Sequence, residues 1–76
     1  MMKKFENYVA EWGILDTDER GHMECGTRQA AAKTAKVILK GKVGKGQIGM
    51  WWVWGKTDTP TTTTLSLVTK GEIRKK

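Results

Sequence analysis

Proline, cysteine and histidine each occur once in the 76 residues, and no apolar run approaches the roughly 20 residues of a membrane-spanning helix. The lone Cys25 excludes an internal disulfide, so no covalent staple supports the core and an oxidised, secreted framework is not expected. Met1 to Lys4 lead into Phe5, Glu6 and Asn7 instead of an apolar signal core, which makes a cytoplasmic location the expectation. His22 and Cys25 fall short of the three or four ligands of a zinc site. On a strand, residues 22 and 25 also point to opposite faces, so they do not form a Cys/His nucleophilic pair. A chain of this length buries only about 60% of its unfolded surface, which leaves little room for a deep cleft. With no convergent acid, base or nucleophile, the sequence predicts a non-enzyme with neither metal nor cofactor.

Acid is scarce in the second half of the chain. Residues 1–26 hold six acids against three bases, whereas residues 27–76 hold eleven bases against Asp58 and Glu72 alone. The net charge is +6 and the sequence pI about 9.7. A bipolar, basic chain carries the electrostatic footprint of a protein that meets nucleic acid or an acidic protein surface.

The remaining pattern reads as one domain over residues 1–76. Thr27 suits an N-cap and Gly41 a left-handed C-terminal stop, so a helix is expected over Arg28 to Lys40. At 100° per residue, Ala31, Thr34, Ala35, Ile38 and Leu39 share one face, and Gln29, Lys33, Lys36 and Lys40 share the opposite one. Gln47 to Lys56 and Thr61 to Thr69 are rich in β-branched and aromatic residues and predict a hairpin turning at Thr57 to Pro60. In that register Trp54 pairs with Thr63 and Trp52 with Leu65. Trp52 and Trp54 then face inward with the leucines, while Trp51 stands in solvent among hydroxyls.

The first 26 residues fit two templates. Phe5, Tyr8, Val9 and Trp12 lie at helical spacing, and Tyr8, Ala10, Trp12 and Ile14 at strand spacing. The Gly-ended polar turn over Asp16 to Gly21 favours a hairpin with strands near Asn7–Leu15 and His22–Cys25. The expected fold is therefore α+β: a small antiparallel sheet in ββαββ order with one amphipathic helix on one face. Lys70 to Lys76 read as a basic, frayed tail.

Three strings mimic ligand sites. Gly44-Lys45-Gly46-Gln47-Ile48-Gly49 matches G-x-G-x-x-G, but it follows a helix and opens a strand, the reverse of a dinucleotide fingerprint. Gly41-Lys42-Val43-Gly44 resembles a KH-type GXXG loop, yet the tryptophan strand follows where a second helix belongs. Asp16 to Gly21 begins like an EF-hand loop, with Arg20 and Thr27 at positions that need oxygen ligands. A lysine-rich glycine loop can still track phosphates, which keeps Lys40, Lys42 and Lys45 as candidate contacts.

Met50-Trp51-Trp52-Val53-Trp54 puts three of the four tryptophans within four residues. One sheet face cannot bury them all: either the helix covers one face and a dimer mate the other, or Trp51 is a partner-facing anchor, which the sequence favours together with a weak homodimer that hides part of its face. Lys33, Lys36, Lys40, Lys42 and Lys45 form the accompanying basic surface.

The order of hairpin over Tyr8 to Leu15 and His22 to Cys25, alanine-rich helix over Thr27 to Lys40, and strand at Met50 to Trp54 resembles that of small bacteriophage proteins that inhibit host machinery. These include inhibitors of bacterial RNA polymerase and some anti-CRISPR proteins. The resemblance implies a protein of the host cytoplasm that occludes a surface of a nucleic-acid-handling complex. Direct binding of single-stranded nucleic acid is the alternative that the charge leaves open.

Overall fold

The computed structural model describes residues 5–74. It contains β1 (Asn7–Ile14), β2 (Arg20–Cys25), α1 (Arg28–Lys42), β3 (Ile48–Asp58) and β4 (Thr63–Arg74). The four strands form one antiparallel sheet in the order β2-β1-β3-β4, and α1 lies on one face of it. The expected α+β fold in ββαββ order is the observed one.

Local chemistry explains each boundary. The β1–β2 turn is closed by Thr17, whose hydroxyl donates to the Ile14 carbonyl at 2.8 Å and accepts from the Glu19 N–H at 3.1 Å. Asp16 takes a left-handed backbone there, φ 64°, a conformation that Asp tolerates better than most residues. Thr27 caps α1 as its residue type predicts, accepting the Ala30 N–H at 3.0 Å on Oγ1.

The helix does not stop at Gly41. It runs to Lys42 and is capped by Val43, whose N–H reaches the Leu39 carbonyl at 2.8 Å. Val43 is buried against Gly49, where an added Cβ would lie 2.6 Å from its Cγ2. Tertiary packing of Val43 thus sets the end that the glycine alone was expected to set.

The helix face of the sheet is organised around one row of residues. Trp12 and Trp51 are cross-strand neighbours at its centre, flanked by Gly21 on β2 and Gly71 on β4. Each indole spreads over its flanking glycine. A Cβ at Gly21 would meet the Trp12 ring at 2.7 Å, and one at Gly71 the Trp51 ring at 2.6 Å. Between the splayed rings the small Ala31 and Ala35 bring α1 down onto Ala10 and Val53, all four fully buried. Leu39, Val43 and Ile14 complete the core. Burial of Leu39 and Val53 contributes on the order of 1.5–3 kcal/mol each.

Three expectations are corrected here. Trp51 is only 8% exposed and belongs to the core, so it does not stand in solvent. The helix covers the face of Gly49, Trp51 and Val53, where Gly49 leaves room for Leu39 and Val43, and not the face of Trp52 and Trp54. The β3–β4 register also differs: Asp58 pairs with Thr63, Trp54 with Leu67 and Trp52 with Lys70, with a bulge between Val53 and Trp54. The reason is the turn, which occupies Thr59 to Thr62 instead of Thr57 to Pro60. Thr59 closes it by accepting the Thr62 N–H at 3.0 Å on Oγ1 while its own N–H donates to the Thr62 carbonyl at 2.8 Å.

Lys70 to Arg74, expected as a frayed tail, continue β4. Gly71 and Ile73 turn toward the helix side, and Lys70 and Glu72 turn away from it. The last two residues of the expected tail, Lys75 and Lys76, lie outside the described residues.

Candidate partner-binding surfaces

Two surfaces remain after the core is closed. The first is the outer side of α1. Its fifteen residues carry Arg28, Lys33, Lys36, Lys40 and Lys42 and no acid. Helical periodicity aligns Lys33, Lys36 and Lys40 opposite the buried stripe of Ala31, Ala35 and Leu39, and all three lysines are exposed. Among the described residues none of the three forms an ion pair. Lys36 sits over the Trp51 ring, its Nζ 5.0 Å from the centroid, which holds one ammonium at the rim of the core.

The remaining expected contacts separate from this stripe. Lys42 lies near the meridian of Ala31 and Ala35, where Nζ pairs with Glu19 at 3.1 Å and ties the helix end to the β1–β2 turn. Lys45 is exposed in the connector beyond the helix. That connector is held by Gln47, whose Oε1 accepts the Gly44 N–H at 2.6 Å while its own N–H donates to the Gly44 carbonyl at 3.0 Å. Gly46 takes φ 84° and Ile48 then opens β3, so the G-x-G-x-x-G string opens a strand as expected. Of the six residues singled out in the sequence, the structure brings Lys33, Lys36 and Lys40 into one exposed stripe and leaves Trp51 beneath it.

The second surface is the sheet face that α1 leaves uncovered. One row across it runs Glu24, Val9, Trp54 and Leu67; the next runs His22, Glu11, Trp52 and Lys70. Leu65 and Leu67 are nearly half exposed, and Trp52, Trp54 and Val9 are half-buried. Trp54 is oriented by Glu11, whose Oε1 accepts the indole N–H at 2.8 Å. Lys56 hydrogen-bonds the Glu24 carboxylate and lies 4.0 Å from Asp58. The Glu24 hydrogen bond, with the nearby Asp58 and Glu24 charges, holds the Lys56 ammonium above its ordinary pKa. A shallow depression of about 270 Å³ lies between Val9, Glu11, His22, Trp54 and Leu65.

Sequence reasoning assigned Trp52, Trp54, Leu65 and Leu67 to the core. The signal that could have reassigned them is the placement of Gly49 on the side of Trp51, since a close-packed helix needs small neighbours there.

His22 lies on the open face, whereas Cys25 faces α1, its Sγ 3.9 Å from the Thr34 hydroxyl. Among the described residues no three His, Cys, Asp or Glu side chains gather as a metal site would require. No described helix is long and apolar enough to cross a membrane. In comparison with known proteins, no family model, curated sequence or solved structure matches this chain.

Proposed function

We propose that the protein is a non-catalytic binding module, an inhibitor or adaptor that docks through the Lys33, Lys36 and Lys40 stripe of α1 onto an acidic surface of a nucleic-acid-handling protein complex. The observation that carries this reading is a capped helix that exposes Lys33, Lys36 and Lys40 around Val37 on its outer side and carries no acid. Such a stripe steers an encounter over about a Debye length, roughly 8 Å at physiological salt, and loses ordering entropy only in its side chains. Lys45, exposed in the connector, lies off the stripe, and Lys42 is already engaged by Glu19.

Direct binding of single-stranded nucleic acid is less well supported. A stacking platform needs aromatic faces beside phosphate-binding cations. Here the accessible indoles, Trp52 and Trp54, lie on the face opposite α1, where Lys56 and Lys70 are offset by Glu11 and Glu24, so that face has no excess of cations.

The test is affinity capture from bacterial lysate with and without nuclease, using the wild type and a Lys33→Glu/Lys40→Glu variant. These two lysines have no ion-pair partner among the described residues, so the fold should survive their reversal. The proposal expects a protein complex that is retained after nuclease and lost with the variant. Retention that vanishes with nuclease would replace it with the nucleic-acid reading.

A further inference from the structure

We infer that the open face of the sheet is a homodimer interface, in which two copies pack sheet against sheet and leave their lysine stripes on opposite outer faces. This goes beyond the proposed docking of α1 and does not depend on it.

The first ground is the pattern of β3. An antiparallel sheet with one solvated face alternates apolar and polar residues, whereas Ile48, Met50, Trp52 and Trp54 put apolar side chains on the face away from the helix. Leu65 and Leu67 of β4 and Val9 of β1 extend the same surface.

The second ground is exposure. Leu65 and Leu67 stand 49% and 47% exposed on that face, beside the half-buried Trp52 and Trp54.

The third ground is charge. Each copy carries +6, yet the open face balances: Arg20, Lys56, Lys70 and Arg74 stand with Glu11, Glu24, Asp58 and Glu72. Two copies that meet by their helices oppose lysine to lysine; two that meet by their sheets do not. A two-fold axis parallel to the strands, midway between the sheets, sets β1 over β3 and β2 over β4 of the second copy. Levels along the strands are conserved by that operation. Val9 then falls over Trp54 of the second copy. Arg20 and Glu72 both align with the Gly13–Met50 pair of their own sheet, so Arg20 falls over Glu72 of the second copy.

Sedimentation equilibrium of the full chain, carried to about 1 mM, tests this directly, since that is the range of the weakest specific associations. The wild type should dimerise reversibly. Leu67→Glu should weaken dimerisation by roughly 30-fold or more, as removal of a central apolar contact does. Leu67 is 47% exposed, so its replacement leaves the core intact, and a melting curve establishes that the variant is folded. Lys40→Glu should leave the dimer unchanged. A wild type that stays monomeric throughout overturns the inference, as does a dimer indifferent to Leu67→Glu. Fresh hydrogen-exchange protection confined to the β4 amides on association would instead mean pairing of β4 edges, and it too overturns the sandwich.

Discussion

Alanine substitution of glycine should have opposite signs at two positions of this chain. At Gly41, inside α1, an added Cβ has nothing within 4 Å, so Gly41→Ala only removes the glycine's unfolded-state freedom. It should stabilise the fold by roughly 0.5–1 kcal/mol. At Gly71 the same Cβ would lie 2.6, 2.8 and 2.9 Å from three atoms of the Trp51 indole. Contact at an ordinary 3.4 Å or more requires the ring to lift by the better part of an ångström. Trp51 is buried in the core with Lys36 over its ring, so that movement strains the packing. Overpacking of this kind costs about 1–3 kcal/mol. For a domain of this size each kcal/mol shifts Tm by roughly 4–8 °C, so Gly71→Ala should lower Tm by several degrees or more while Gly41→Ala raises it by a few. Thermal and urea unfolding of the two variants beside the wild type measures both. Equal stabilisation by the two substitutions would refute the placement of Trp51 over Gly71, and with it the assignment of that tryptophan to the core.

Further outcomes follow from the same packing. Thr27→Ala should cost about 1 kcal/mol in urea unfolding, because the Ala30 N–H loses its acceptor. Leu39→Ala removes a side chain with no exposed surface and should cost about 2–5 kcal/mol by the same assay. Leu65→Gln, at a residue 49% exposed, should change stability by no more than about 0.5 kcal/mol in dilute solution. Reversal of Lys33 and Lys40 should weaken capture of the partner complex, and the loss should shrink as added salt screens the stripe.

The element order was legible because its signals are local: Thr27 before an alanine-rich run, aromatic and β-branched residues in strands, and polar turns between them. The stripe of Lys33, Lys36 and Lys40 was legible for the same reason, since helical periodicity needs no knowledge of the sheet. Which face of β3 turns inward was not, because tryptophans occupy both faces and hydrophobicity cannot rank them. That choice is made by Gly49, Gly55 and Gly71, which open space for Leu39 and Val43, for the Phe5 ring and for the Trp51 ring on one side only. The alternation of Thr69, Gly71 and Ile73 with Lys70, Glu72 and Arg74 is a strand signal, but the charges made it read as a tail. The turn at Thr59 to Thr62 depends on a threonine hydroxyl closing its own loop, which the four consecutive threonines after Pro60 conceal in the sequence.

Covalent lysine footprinting of the captured, nuclease-treated complex tests the central claim most directly, because it reads which side of the molecule meets the partner. Lys33, Lys36 and Lys40 should lose reactivity on binding, while Lys70, on the opposite face, should keep the reactivity it has in the free protein at the same concentration. Protection of Lys70 with the three helix lysines left reactive would contradict the account and move the partner to the open face of the sheet.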